Sequence, residues 1–232
     1  MKQRLFDIVI IGAGVIGHSI AFRLKQCRPD ISLAVLGDPM NSLMASRAAA
    51  GMLAPFGECD EANRFFKFCR ESLLQYPDFI EDLICTSGVP VHLSMKGSLI
   101  PSSSFVNGWE KQIRFFREEN VPHQIWSPER CRQLAPVLAE SCGEVIWVGE
   151  GQVNNREMHD ALVTASRKLG VEILEKNVTG FTRDSSSIGA VVADTQEVRG
   201  RKFILSSGSW SSQLGDALDV SLPLKPIKGQ MC

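Results

Sequence analysis

The 232-residue chain has no apolar run approaching the ~20 residues a membrane-spanning helix requires, so the sequence gives no ground for placing it in a bilayer. It has no basic stripe interleaved with aromatics. Its 25 lysines and arginines stand against 26 aspartates and glutamates, a net charge of -1, which argues against a nucleic-acid partner. It has no C-x-x-C pair. Its 7 cysteines are an odd, scattered set (27, 59, 69, 85, 131, 142 and 232), which argues against a disulfide framework or a zinc site and for reduced thiols in a cytoplasmic protein. The 4 histidines lack metal-ligand spacing, and His18 and His159, both within expected helices, read as structural. There is no Ser/His/Asp arrangement, no carboxylate pair at a telling spacing, no repeat, and no low-complexity tract beyond two serine triplets. The start, Met1-Lys2-Gln3-Arg4 and then an apolar stretch, imitates a signal peptide. Asp7 and the glycines that follow are better explained as a first strand and its turn. What remains is an ordinary folded composition, 44% hydrophobic and 22% charged, long enough for one large or two small domains.

The strongest positive signal is at the beginning. Lys2 to Ile11 predicts a strand, Gly12-Ala13-Gly14-Val15-Ile16-Gly17 follows at once, His18 to Leu24 continues as a helix, and Ile31 to Leu36 predicts a second strand. A G-x-G-x-x-G inside one βαβ unit is a dinucleotide-binding pattern, whereas the same six residues alone would be an ordinary glycine turn. Gly12 allows a tight turn off the strand, Gly14 lets backbone approach a pyrophosphate, and Gly17 lets the helix pack closely on the sheet. The first helical N–H groups and the helix dipole then face the phosphates. Ala21 and Leu24 fall on the helix face that meets the sheet.

Further along, residues 38 to 57 read as a loop-rich stretch of small residues. A long helix is expected over 60 to 86, with Phe65, Phe66, Cys69, Leu73, Leu74 and Phe79 at helical spacing and Pro77 expected to kink or split it. Gly97 to Ile100 predicts a strand and Phe105 to Asn120 a helix. Ser127-Pro128-Glu129 is a helix start, and that helix must end near Pro136. Glu144 to Val148 predicts a strand, and Asn155 to Leu169 an amphipathic helix stopped by Gly170. Strands are expected over Val171 to Leu174, Val178 to Thr182, Ile188 to Ala193 and Lys202 to Leu205. The last runs into Ser206-Ser207-Gly208-Ser209-Trp210, small residues at the carboxyl end of a strand, where a ligand crevice forms in such sheets.

Together these stretches resemble the flavin-dependent amino-acid oxidase (DAO) family, in its glycine oxidase (ThiO-like) branch, which serves bacterial thiamine biosynthesis. The resemblance rests on the first βαβ unit, on Ser46-Arg47-Ala48-Ala49-Ala50-Gly51-Met52-Leu53-Ala54-Pro55 and Gly57-Glu58-Cys59, and on Gly151-Gln152-Val153-Asn154 with its helix. Ser207-Gly208-Ser209-Trp210-Ser211 and Pro226-Ile227-Lys228-Gly229-Gln230-Met231 complete it, in the family's order. It implies non-covalent FAD. By position it puts Gly12, Gly14, Val15, Ile16 and Gly17 at the pyrophosphate turn and Ala45, Ser46, Ala50, Gly51 and Met52 along the flavin. Val178 falls at the adenine, Ser207 and Gly208 in the crevice, and Met52 and Glu58 toward the substrate. Where the family has an acid for the ribose hydroxyls this chain has Gly37, with Asp38 one residue on as the substitute. Relative to the family the C-terminal third is absent, and with it the substrate-carboxylate arginines. The alternatives are therefore a fragment or a chain completed by a second polypeptide.

The implied fold is α/β, a Rossmann-like FAD-binding domain (1–86 and 151–215) with a partial antiparallel-sheet substrate domain (87–150 and 216–232) and the active site between them. The implied chemistry is oxidation of glycine or another small amino acid or amine to an imine and then a 2-oxo acid, with O2 reduced to hydrogen peroxide and no side-chain acid or base required. Two rival readings remain, a non-catalytic FAD-binding fragment or subunit of a split amine oxidase, and an NAD(P)-dependent dehydrogenase. Against the latter stand the Ala-Ala-Ala-Gly-Met-Leu segment and the missing general acid or base. Full-length relatives are expected to be homo-oligomers.

Overall fold

A computed structural model describes residues 4–41, 44–104, 108–138, 143–184 and 187–227. The elements in order are β1 (Leu5–Ile11), α1 (Val15–Cys27), β2 (Leu33–Leu36), α2 (Ala45–Ala48), β3 (Met52–Leu53), α3 (Arg64–Ser87), β4 (Leu93–Ser94), β5 (Ser98–Pro101), α4 (Trp109–Glu118) and β6 (His123–Trp126). They continue with α5 (Pro128–Leu134), β7 (Val145–Val148), β8 (Gly151–Val153), α6 (Asn155–Lys168), β9 (Glu172–Leu174), β10 (Val178–Asp184), β11 (Ser187–Ala193), β12 (Gln196–Leu205) and α7 (Ser211–Asp216). The chain is α/β and packs as two units. The first comprises the described parts of Met1–Ala50, Asp82–Val91 and Asn155–Cys232; the second comprises those of Gly51–Glu81 and His92–Asn154.

The first unit is built on a six-stranded sheet of order β10-β11-β12-β1-β2-β9. β12, β1, β2 and β9 run parallel, and β10 and β11 complete one edge as an antiparallel meander. All four residues of β2, Leu-Ala-Val-Leu, are buried, as a strand covered on both faces must be. One core cluster gathers Phe6, Val9, Ile11, Ala34, Leu36 and Val191. Another gathers Ile10, Ala13, Ala21 of α1, Leu33 and Val35, with Leu24 packed alongside. α6 buries Met158, Ala161, Leu162 and Ala165, one stripe at helical spacing.

The second unit holds two three-stranded antiparallel sheets, β3-β8-β4 and β5-β7-β6. Its core gathers Phe56, Phe66, Leu73, Ile113, Phe116 and Ile146. Glu150 is buried here, with Oε1 accepting from the backbone N–H groups of Phe56 (2.6 Å) and Gly57 (2.7 Å). Burial raises its carboxyl above the ordinary range, and the two backbone donors oppose that rise.

These units divide the chain differently from the sequence reading. Residues 51–81 group with the second unit because β3 pairs with β8, and because Phe66 and Leu73 enter the core of Ile113 and Ile146. Residues 216–227 stay with the first, where the Ser212 hydroxyl donates to the carbonyls of Leu222 (3.2 Å) and Leu224 (2.8 Å). α3 is one helix through Pro77, neither split nor interrupted. Its buried stripe is Phe66, Leu73, Ile80 and Leu83, whereas Phe65 and Leu74 face outward, 67% and 70% exposed. α5 begins as its cap predicts, Ser127 Oγ accepting from the Arg130 N–H at 3.4 Å. The expected helix start at Phe105 and the segment Lys228 to Met231 lie outside the described residues.

Candidate functional site

In the first unit β1, β2 and β12 end at one level. The Gly12 N–H donates to the Leu36 carbonyl (2.8 Å) and the Ser206 N–H to the Ile11 carbonyl (2.8 Å), so the ladder holds together up to the glycine turn. Gly12 has φ +118°, a conformation that side chains resist, and a Cβ there would overlap the Ser206 carbonyl. Gly17 is pressed so closely on the turn that a Cβ would overlap the Gly12 carbonyl. The turn leaves α1 with Gly14 at its N-cap and its first-turn N–H groups directed out of the sheet.

These carboxyl ends open into a cleft of about 660 Å³, within the ~300–1,000 Å³ typical of ligand sites. Gly12, Gly14 and Ile16 line it at the glycine turn. Gly37 and Asp38 lie at the end of β2, and Val178 lies at the start of β10. Ala45 and Ser46 line a further part, and Ser207 and Gly208 line the wall after β12. Val15 and Gly17 support the turn from behind rather than line the cleft. The Val15 N–H donates to Ser46 Oγ (3.1 Å), and Gly17 is buried. Ala50 closes the first unit's early segment. Gly51, Met52 and Glu58 belong to the second unit, where Met52 pairs with Gln152 and is 64% exposed and Glu58 is exposed.

The cleft fits a dinucleotide. Gly14 presents only backbone at the helix N-terminus, where an anion is favoured by dipole and free N–H groups together. Gly208, at φ +56°, faces open space: a Cβ there would meet no atom within 4 Å. Asp38 is exposed at the rim, and its Oδ1 accepts from the Met40 N–H at 2.8 Å, closing a small turn that holds the carboxylate at the cleft.

Sequence reasoning missed Asn41, Met44, Lys176, Asn177 and Gln213, all of which line the cleft. Lys176 and Asn177 are the residues before Val178, so proximity to a recognised position was a usable signal for those two, and Trp210, which also lines the cleft, ends the run already read as a crevice. Asn41, Met44 and Gln213 carried none. Among the described residues no three His, Cys, Asp or Glu side chains are grouped to hold a metal, and no helix is long and apolar enough to cross a membrane.

Behind the turn, His18 and His159 are both buried, with ring centroids 5.8 Å apart in an edge-on arrangement. Burial, with His159 and Arg167 adding to it, pulls His18 down to about 3. Burial also lowers His159, against the opposing hydrogen bond to Ala13.

The fold and cleft define a dinucleotide-binding domain. The profile of the DAO family, FAD dependent oxidoreductase, matches residues 7–232, and the chain belongs to that family; its cofactor is FAD. It is 31% identical over 232 residues to the bifunctional protein ThiO/ThiG of Synechocystis sp., an alignment covering 99% of this chain and 33% of that protein. It is 26% identical to the glycine oxidase of Geobacillus kaustophilus, covering 97% of this chain and 60% of that one. The crystal structure of glycine oxidase from Geobacillus kaustophilus superposes with a TM-score of 0.86 at 25% identity, over 95% of this chain and 60% of the other. The chain thus spans between a third and three-fifths of the length of these relatives.

Proposed function

We propose that the chain serves FAD-dependent oxidative deamination of glycine or a small amino acid or amine, with O2 as oxidant and hydrogen peroxide released, as part of thiamine (thiazole) biosynthesis. The observation that carries this reading is the cleft at the carboxyl ends of β1, β2 and β12, opening onto the N-terminus of α1. The relatives named glycine oxidase support the substrate class, and the family resemblance read from the sequence suggests the pathway. When bound, FAD supplies the two-electron acceptor; the protein supplies binding and orientation.

In this reading the backbone of Gly14 and Ile16 neutralises the pyrophosphate, Val15 braces the turn through the N–H it donates to Ser46 Oγ, and Asp38 takes the ribose hydroxyls in place of the acid that Gly37 lacks. Val178 meets the adenine through its backbone. Ala45, Ser46, Ala50, Gly51, Ser207 and Gly208 leave room for the isoalloxazine, and Met52 and Glu58 belong to the substrate side. No side chain is assigned as acid or base, because hydride loss from a neutral amine needs none. The test is to purify the chain, record its visible spectrum, and add glycine without oxygen. A yellow protein that bleaches is expected. A yellow protein that stays yellow with glycine and other small amino acids would make this chain an FAD-binding part without oxidase activity of its own. A colourless protein that takes up no added FAD would reject the reading.

A further inference from the structure

The glycine turn accounts for its own contacts, but not for the polar side chains packed behind it. α6 starts beside α2, and its first turns reach the segment that lines the cleft. Asn155 Nδ2 donates to the Ser46 carbonyl (2.6 Å), Arg156 Nε donates to the Arg47 carbonyl (3.1 Å), and Asp160 pairs with the Arg47 guanidinium. One residue of this helix reaches the turn itself. His159 Nε2 lies 2.9 Å from the Ala13 carbonyl oxygen, and its Nδ1 lies 3.3 Å from Arg47 Nη1.

The two neighbours determine the state of the ring. A carbonyl oxygen only accepts and a guanidinium only donates, so the proton is on Nε2 and the lone pair on Nδ1 faces Arg47. The ring is fully buried. Ala13 is the middle residue of Gly12-Ala13-Gly14, and its carbonyl shares a planar peptide unit with the Gly14 N–H. In a trans peptide these two groups point in opposite directions. Holding the carbonyl toward α6 therefore aims the Gly14 N–H away from α6, on the cleft side of the turn.

We propose that His159 is a positioning residue for the dinucleotide. Through a single neutral tautomer it ties the Ala13–Gly14 peptide to Arg47, and so sets the phosphate turn and the Ala45–Ala48 segment in one geometry without touching the cofactor. The inference rests on the FAD reading above. Ser46 supplies the other half of the tie, since its Oγ accepts from the Val15 N–H while its carbonyl is held by Asn155. Both walls of the phosphate end are thereby referenced to the first turns of α6.

The test compares side chains that reach different atoms. Gln carries its amide nitrogen as many bonds from the backbone as Nε2, and Asn as many as Nδ1, so His159→Gln can donate to Ala13 whereas His159→Asn cannot. FAD dissociation constants are measured by quenching of flavin fluorescence, beside urea midpoints of the apo forms. His159→Asn is expected to weaken FAD binding about tenfold, the value of roughly one lost hydrogen bond, and His159→Gln to restore it to within about threefold of wild type. Equal dissociation constants for Asn and wild type, or equal losses for Asn and Gln, would overturn the role. Should His159→Asn not fold, nitrogen-15 NMR of the wild-type apo protein decides: a neutral Nε2–H ring is expected, and an Nδ1–H ring or an imidazolium at pH 7 would overturn it. A wild type that binds no FAD would remove the FAD reading and this inference together; a wild type that binds FAD beside an unaffected Asn variant would remove this inference alone.

Discussion

At the scale of the residue, the three glycines of the turn do separate jobs. Gly17 has no room for a Cβ, because the Gly12 carbonyl already occupies that place. Gly14 is crowded but not blocked, since a Cβ would stand 3.2 Å from Ser46 Oγ, a side chain that would have to give by a few tenths of an ångström. Gly17→Ala is therefore expected to lower folding stability by about 1–3 kcal/mol, the usual cost of overpacking, and to show it in the urea midpoint even without FAD. Gly14→Val is expected to abolish flavin retention by filling the pyrophosphate approach; wild-type retention would sink the placement. His18 gives a prediction of the opposite kind, one of pH. Its folded value of about 3 lies below the ordinary 6.5, so the unfolded chain takes up the proton first. The stability its neutral ring contributes is complete above pH 6.5 and is lost as pH falls toward 3. Between pH 6 and 4 the loss approaches about 1.4 kcal/mol per pH unit for one such group. Glu150 works the other way, because burial raises its carboxyl, so the comparison must be with His18→Gln, whose urea midpoint is expected to fall less steeply with acid.

At the scale of the element, α3 shows how a buried stripe overrides a local breaker. Pro77 lacks the N–H that the Leu73 carbonyl would accept, yet Phe66, Leu73 and Ile80, seven residues apart, and Leu83 hold the helix together on either side of it. Pro77 itself is exposed. Pro77→Ala is expected to raise stability by about 1–3 kcal/mol, read as a higher urea midpoint; an unchanged or lower midpoint would mean that proline costs this helix nothing at that position. Element boundaries were legible where an apolar run met a specific stop, as at β1 into Gly12 and α6 into Gly170. They were not legible for β3, β4 and β8, which are two or three residues long and exist only because they pair with one another.

At the scale of the whole molecule, FAD binding and folding are linked. A ligand bound only by the folded state adds about 2.7 kcal/mol at a hundredfold excess over its dissociation constant. FAD is expected to raise the thermal midpoint of the chain, and FMN, which lacks the adenosine that Asp38 and Val178 are assigned to hold, to raise it far less. Equal shifts with the two flavins would remove the adenosine end from the cleft.

The amino-acid order alone determined the βαβ start, the glycine turn and the family, because those depend on residue types at fixed local spacing. Gly12, Gly14, Val15, Ile16 and Gly17 could be named for that reason, as could Ser207 and Gly208 at the end of a buried strand. Tertiary structure alone decided that residues 51–81 join the second unit, that Asn41 and Gln213 line the cleft, and that His159 reaches the Ala13 carbonyl 146 positions away in sequence. Those outcomes come from packing between segments far apart in the chain. No local pattern encodes them, since a histidine on a helix face looks the same whether its ring meets a carbonyl, a metal or solvent.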